Sequence, residues 1–303
     1  MIHYEHICKA MPWLREITES ASKSRMVQER LKTIGDATGQ TIARMARSYA
    51  LSGQRVFVVG PKLQSMFDAT SLKNVVSDMV QAPYPTFYME LPDCCWEIWG
   101  GSTGWHQIAG VYVQRTDDVL GLLIWGGPNE RSKNRADDSV FWVAFSLASA
   151  TAAGKDLEAA MEYVLRDGSS DKSQYQIRID TLPERDREKA YSSTLSVLRV
   201  VVNALLYLNS EKPEMETEDR AAEKREMIKK LAGLKSKAKK RKLSKRIEKA
   251  PGHVSVFLGL SIERTARASA RYHWVRGHWR NVPCNEGYNL RWIQPYERGD
   301  KDE

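Results

Sequence analysis

Glu188-Lys-Ala-Tyr-Ser-Ser-Thr-Leu-Ser-Val-Leu-Arg-Val-Val-Val-Asn-Ala-Leu-Leu-Tyr-Leu208 is the stretch that decides the fold. From Leu195 onward it is nearly all apolar, through Leu198, Val201, Val202, Leu205, Leu206 and Leu208. A helix apolar around so much of its circumference cannot face water, so it predicts a central helix buried against a sheet. Pro213 ends it. A shorter helix, Asp156 to Leu165, precedes it and places Leu157, Met161, Val164 and Leu165 on one face.

The sheet is legible upstream. Thr86-Phe-Tyr-Met-Glu-Leu91, Cys94-Cys-Trp-Glu-Ile-Trp99, Gln107-Ile-Ala-Gly-Val-Tyr-Val-Gln114, Val119-Leu-Gly-Leu-Leu-Ile-Trp125 and Ser139-Val-Phe-Trp-Val-Ala-Phe145 are strand-like. Turn signals separate them at Pro92-Asp93, Gly100-Gly101, Asp117-Asp118 and Gly126-Gly127-Pro128. Such close spacing predicts an antiparallel meander. Residues 3–80 read as mostly helical: a first helix opens at Trp13, Asp36 caps another carrying Ile42, Met45 and Ala46, and Pro61 starts a third running to about Val80. The class is α+β: a helical N-terminal region, an antiparallel sheet packed with helices, a basic helix or arm, and a small C-terminal β module.

Charge is placed unevenly. Residues 1–219 hold 24 Lys and Arg against 29 Asp and Glu, whereas residues 220–249 hold 14 against 3. The overall net charge of +8 is therefore a local device. A segment this basic suits a polyanion, and Lys237, Lys239, Lys240, Arg241 and Lys242 are its densest run. It is either an exposed basic helix or an arm that orders on its partner. After Pro251-Gly252, Val254 to Leu260 resumes as a strand leading into the last module.

Residues 264–298 hold two of the six histidines, three of the nine tryptophans and seven arginines. Arginine forks fit phosphate and indole faces can stack on bases, so Arg276, Trp279, Arg280, Arg291 and Trp292 are candidates for RNA or ribosome contact. His273 and His278 are candidate catalytic groups for metal-independent RNA cleavage, one deprotonating the 2′-OH and the other protonating the leaving oxygen. Five residues apart on one strand they face opposite sides, so a shared phosphate requires a bend at Gly277. The competing reading is a hairpin with core tryptophans and solvated arginines.

Other chemistry is excluded or weak. Gly126-Gly127-Pro128 and Gly100-Gly101 lack a following Gly-Lys-Ser/Thr, Asp117-Asp118 and Asp137-Asp138 suit polar turns, and no metal or cofactor is expected. The four cysteines (Cys8, Cys94, Cys95, Cys284) have no Cys-x-x-Cys spacing, no run of eighteen apolar residues occurs, and the N-terminus lacks a signal-peptide pattern. A cytoplasmic protein with no membrane partner is expected.

His273-x-x-Arg276-Gly277-His278-Trp279, followed by Arg291-Trp292 and Pro295, resembles the C-terminal signature of a family of type V-A anti-CRISPR proteins carried by phages and other mobile elements. Leu91-Pro92-Asp93 with Cys95, after Phe87-Tyr88-Met89, is similar to the family's middle region, and Leu205-Leu206-Tyr207-Leu208 with Glu214 falls at a similar helix. The similarity runs in patches between residues 84 and 298; the helical N-terminus and the lysine run lie outside it. The resemblance implies recognition of the nascent N-terminal peptide of the type V CRISPR nuclease during translation in the bacterial host, coupled to loss of its mRNA. On that basis residues 1–212 form the core that receives the peptide, with Trp96, Trp99, Trp125 and Trp142 as candidate groove residues. Residues 213–250 form the basic helix or linker, and residues 251–303 form the His/Trp/Arg module. The expected partners are that peptide, the ribosome or RNA, and host ribonucleases if the protein is an adaptor. The alternatives are a metal-independent endoribonuclease and a nucleic-acid-binding repressor.

Overall fold

Short apolar runs and one long apolar helix sort this chain into three layers, a sheet with helices on both faces. The computed structural model describes residues 3–10, 14, 37–73, 75–131, 140–146, 156–166, 182–264, 273–275, 277–284 and 287–298. In chain order the elements are α1 (His3–Ala10), α2 (Ala37–Leu51), β1 (Arg55–Val59), α3 (Pro61–Asp68), β2 (Thr86–Glu90), β3 (Glu97–Trp99), β4 (Trp105–Thr116), β5 (Val119–Gly126), β6 (Val140–Ser146), α4 (Leu157–Arg166) and α5 (Glu184–Leu208). There follow β7 (Met215–Glu218), α6 (Ala222–Gly233), α7 (Lys237–Lys249), β8 (Val254–Leu258), α8 (Leu260–Arg264), β9 (His273–Val275), β10 (His278–Cys284), β11 (Gly287–Ile293) and β12 (Tyr296–Arg298). The class is α+β.

The main sheet runs β6-β5-β4-β2-β1-β8-β7, with β3 added on β4. Every pair from β2 to β6 is antiparallel, the expected meander. Its centre is different, for β1 runs parallel to both β2 and β8. This strand lies in a region expected to be helical. Arg-Val-Phe-Val-Val is too short for periodicity to separate a strand from a buried helix, and burial on both faces makes it central: Val56 packs on one side, Phe57 and Val59 on the other. The helix expected from Pro61 to Val80 stops at Asp68, leaving one 3₁₀ turn at Ser77–Met79. Pro61 does open α3. Val254–Leu258 is a strand as expected, and it pairs with β1 inside the main sheet.

One face of the sheet is covered by α3, α4 and α5. From Ser193 to Tyr207 every α5 residue except Arg199 is buried, and Arg199 pairs with the carboxylate of Glu158 on α4 at 2.9 Å. By length and hydropathy α5 could cross a membrane, but 83% of its most apolar window is buried in this fold. The opposite face carries α1 and α2, where Tyr4, Ile7, Ile42, Met45 and Tyr49 meet Val56, Tyr88, Tyr112 and Leu123. Glu5 on α1 pairs with His253 at the entry to β8, 3.2 Å away. The adjacent cysteines divide: Cys94 is buried, which pushes its thiol up to about 12, and Cys95 is exposed. Asp117-Asp118 forms the β4–β5 turn. The expected starts at Trp13 and Asp36, and Asp137-Asp138, lie outside the described residues.

Gly110 shows how tightly the two faces are matched. It sits at a bulge in β4, and a Cβ there would come 2.2 Å from the Tyr88 hydroxyl and 2.6 Å from the Met89 carbonyl oxygen. The second obstacle is backbone, so no rotamer change relieves it. Gly110→Ala should lower unfolding stability by about 1–3 kcal/mol, the usual cost of overpacking, read from the urea midpoint. An unchanged midpoint would show that the bulge yields freely.

Candidate functional site

Strand alternation sorts the C-terminal residues. In β10 and β11, Trp279 lies opposite Trp292 and Arg280 opposite Arg291, so the two indoles share one face and the two guanidinium groups the other. The indoles turn inward and stack with centroids 6.1 Å apart. The Trp279 Nε1–H donates to Asn203 Oδ1 at 2.7 Å, and the Trp292 Nε1–H donates to Thr70 Oγ1 at 3.3 Å. Trp292 also meets the rings of Phe67 and Tyr207, 5.1 and 5.5 Å away. Asn203 itself is fully buried, and its amide N–H donates to the carbonyl oxygens of Phe67 and Thr70. The ribbon is thereby fastened to α3 and α5 through satisfied polar groups as well as packing.

The outward face carries His278, Arg280 and Arg291, all exposed. Like charges stand opposite one another at 280 and 291, and Glu211 offsets them by accepting a hydrogen bond from Arg291 at 3.0 Å. His273 lies on β9, which pairs with β12 and not with β10, so the two candidate imidazoles belong to separate ribbons. Gly277 stands immediately before β10. Its carbonyl oxygen accepts the Ser71 N–H, and a Cβ there would lie 2.6 Å from Thr70 Oγ1 and 2.7 Å from Pro295 Cδ. Glycine is needed at this close approach. Arg276 and the side chain of His273 lie outside the described residues.

A cleft of about 440 Å³ opens where this ribbon meets the end of α5. Its walls are Tyr207, Ile262 and Trp292, and Glu211, Lys212, Glu214 and Arg291 form its charged rim. Glu214 is anchored by the backbone N–H and hydroxyl of Ser261, at 2.8 and 2.5 Å, and its own N–H donates to the Tyr207 hydroxyl at 2.8 Å. Burial raises the Tyr207 phenol above its ordinary range, so it stays neutral at physiological pH. Sequence reasoning did not single out Glu211, Lys212 or Ile262. They come from the linker and a short helix, whereas Tyr207, Glu214, Arg291 and Trp292 stood in patches already noted.

The four candidate groove tryptophans do not gather. Trp125 is buried and stacked on His3, and Trp142 packs on the same side of the sheet, its ring over Gly121. Trp96 packs on the α5 side, and Trp99 meets Trp105 at the β3–β4 edge. Lys237, Lys239, Lys240, Arg241 and Lys242 are all exposed on α7, which Ser236 caps. Among the described residues, no three His, Cys, Asp or Glu side chains converge as a metal site.

The molecule is a layered α+β body with an indole-pinned ribbon, a charged cleft and a basic helical appendage. The family model described as AcrVA2-like, Anti-CRISPR type V subtype A2 family, matches residues 57–296, and the chain belongs to that family. Its function is therefore an anti-CRISPR one. The crystal structure of AcrVA2 aligns with 97% of this chain and 93% of that chain, at 12% identity and a TM-score of 0.43. No curated protein matches the chain.

Asn203 offers a direct test of how the ribbon is held. Asn203→Ala strands the Trp279 N–H and removes the amide donor from the buried Thr70 carbonyl, at about 1–3 kcal/mol for each group left unsatisfied, whereas the Phe67 oxygen keeps the Thr70 N–H. Urea unfolding should register the loss, and tryptophan emission should shift to the red as Trp279 loosens. Unchanged stability and emission would show that packing alone holds the ribbon.

Proposed function

We propose that this anti-CRISPR protein recognises a nascent peptide of the type V CRISPR nuclease at the ribosome and triggers loss of the mRNA being translated. It acts as an adaptor, and host ribonucleases cut the RNA. One observation carries the reading. Residues of two separate family-like patches, Tyr207 with Glu214 and Arg291 with Trp292, converge on a single cleft. An aromatic floor with a rim of both signs suits a short peptide, whose side chains are apolar and whose ends are charged, and the volume accommodates a few residues. The adaptor form is favoured because a general acid and base must reach one phosphate, whereas His278 stands exposed on a ribbon that does not include the His273 strand.

The reading is tested in cells by placing the nuclease's first codons before a reporter. Transcript loss should require translation of those codons, and loss that persists with a blocked start codon would favour direct nucleic-acid binding instead. Filling the cleft with Ile262→Trp should weaken binding of a synthetic peptide of that N-terminus by tenfold or more, with the circular dichroism spectrum retained. Purified protein should leave the target mRNA intact in EDTA. Robust cutting there that disappears in His278→Ala would overturn the adaptor form.

A further inference from the structure

The α6–α7 hairpin interrupts an antiparallel pair. β7 and β8 are hydrogen-bonded neighbours at the sheet edge, from Met215↔Leu258 to Glu218↔Ser255, and the two helices fill the excursion between them. A tight turn would have joined these strands, so the hairpin is an addition to the fold rather than part of its core. Within residues 222–249, 13 are Lys or Arg and 3 are Asp or Glu. Two of those acids are occupied, Glu223 with Arg246 at 3.5 Å and Glu226 with Lys229 at 2.9 Å, and Asp219 before the hairpin holds Arg225. Lys237, Lys239, Lys240, Arg241, Lys242 and Lys245 have no ion-pair partner among the described residues, and all are exposed.

The inner side of α7 is formed by the half-buried Leu243, Ser244 and Ile247, with Met227 of α6 buried. Lys237, Arg241 and Lys245, all exposed, follow one another along α7, each step of four residues advancing roughly 6 Å along the axis. Like charges at this spacing destabilise a helix, so the line has a standing cost that an anionic partner would relieve. Among its described residues α7 exposes no large apolar side chain and α6 exposes one, Ile228, which is too little apolar surface for a membrane or an apolar groove as the partner. Lysine dominates it, and lysine acts on phosphate as a point charge without fixing a sequence.

We propose that the α6–α7 hairpin is an arm that grips the phosphate backbone of structured RNA without reading its sequence. The charge carries the affinity for a polyanion; the choice of RNA rests on the reading that the protein works beside a ribosome. The arm gives the adaptor a hold that is independent of the peptide in the cleft.

The test uses the full chain and three probes: a short RNA duplex, the same duplex in DNA, and vesicles containing an anionic phospholipid. RNA binding should weaken steeply with salt, with log K falling by roughly 0.9 per log of salt for each phosphate neutralised. Replacing Lys237, Lys239, Lys240, Arg241 and Lys242 by Gln should reduce that slope by about four and the affinity by tenfold or more. Glutamine supports helices nearly as well as lysine, and circular dichroism confirms that the arm is retained. Unchanged RNA affinity in the Gln variant would overturn the proposal, as would tighter binding of the DNA or the vesicles than of the RNA. No nascent chain is present in this assay. Its failure leaves translation-dependent silencing standing, and failure of the reporter test leaves RNA binding standing.

Discussion

A carboxamide in an apolar helix must find partners or cost the fold several kcal/mol, and Asn203 finds three. Two are carbonyl oxygens, Phe67 at the end of α3 and Thr70 just beyond it, and the third is the indole N–H of Trp279. The Phe67 oxygen, among the last carbonyls of the helix, also accepts the Thr70 N–H at 3.1 Å, and the Asn203 amide adds a second donor there. One side chain therefore closes α3, aligns it on α5 and receives the C-terminal ribbon. Trp292 repeats the arrangement through Thr70 Oγ1, whose own proton goes to the Met66 carbonyl oxygen. The ribbon side of the cleft depends on this junction, since Trp292 lines it and Tyr207 stands one helical turn beyond Asn203.

The same junction changes what the tryptophans can do. An indole with its N–H satisfied and its ring packed on Phe67 or a second indole offers little free face to a nucleotide base. The ribbon's exposed polar side chains lie on its other side, with His278, Arg280 and the Glu211-paired Arg291. That division follows from alternation along two paired strands, which sends the aromatic residues to one face and the cations to the other.

Much of the fold was legible because its elements are long or regularly spaced. Burial of α5 followed from its composition, and the meander from β2 to β6 followed from turn residues at short intervals. β1 was hidden because five residues carry no usable period, and because its neighbours are remote: β8 lies about 200 residues away in the chain. Parallel pairing leaves no local turn to betray it. The cleft was hidden for a related reason. Tyr207, Glu211, Ile262 and Arg291 come from a helix end, a linker, a five-residue helix and a strand, and only packing brings them together. The tryptophans posed the reverse difficulty, for an aromatic that packs and one that binds have the same sequence signature.

The β7–β8 pair links the two proposed surfaces. Glu214 lines the cleft, its carbonyl oxygen accepts the Gly259 N–H just past β8, and its carboxylate holds Ser261. At the other end of the same four-residue ladder, Glu218 opposes Ser255 and the chain departs into the basic arm. Cleft and arm are thus separated by the length of β7, roughly 13 Å at strand rise, and a hydrogen-bonded ladder fixes the distance. Residues 1–219 carry more acid than base, whereas the arm is strongly positive. A polyanion attracts the arm and repels the acidic residues 1–219, so electrostatics turns the arm toward it. The cleft lies at the far end of the β7–β8 ladder from the arm, so a backbone held by the one and a peptide held by the other would occupy different surfaces.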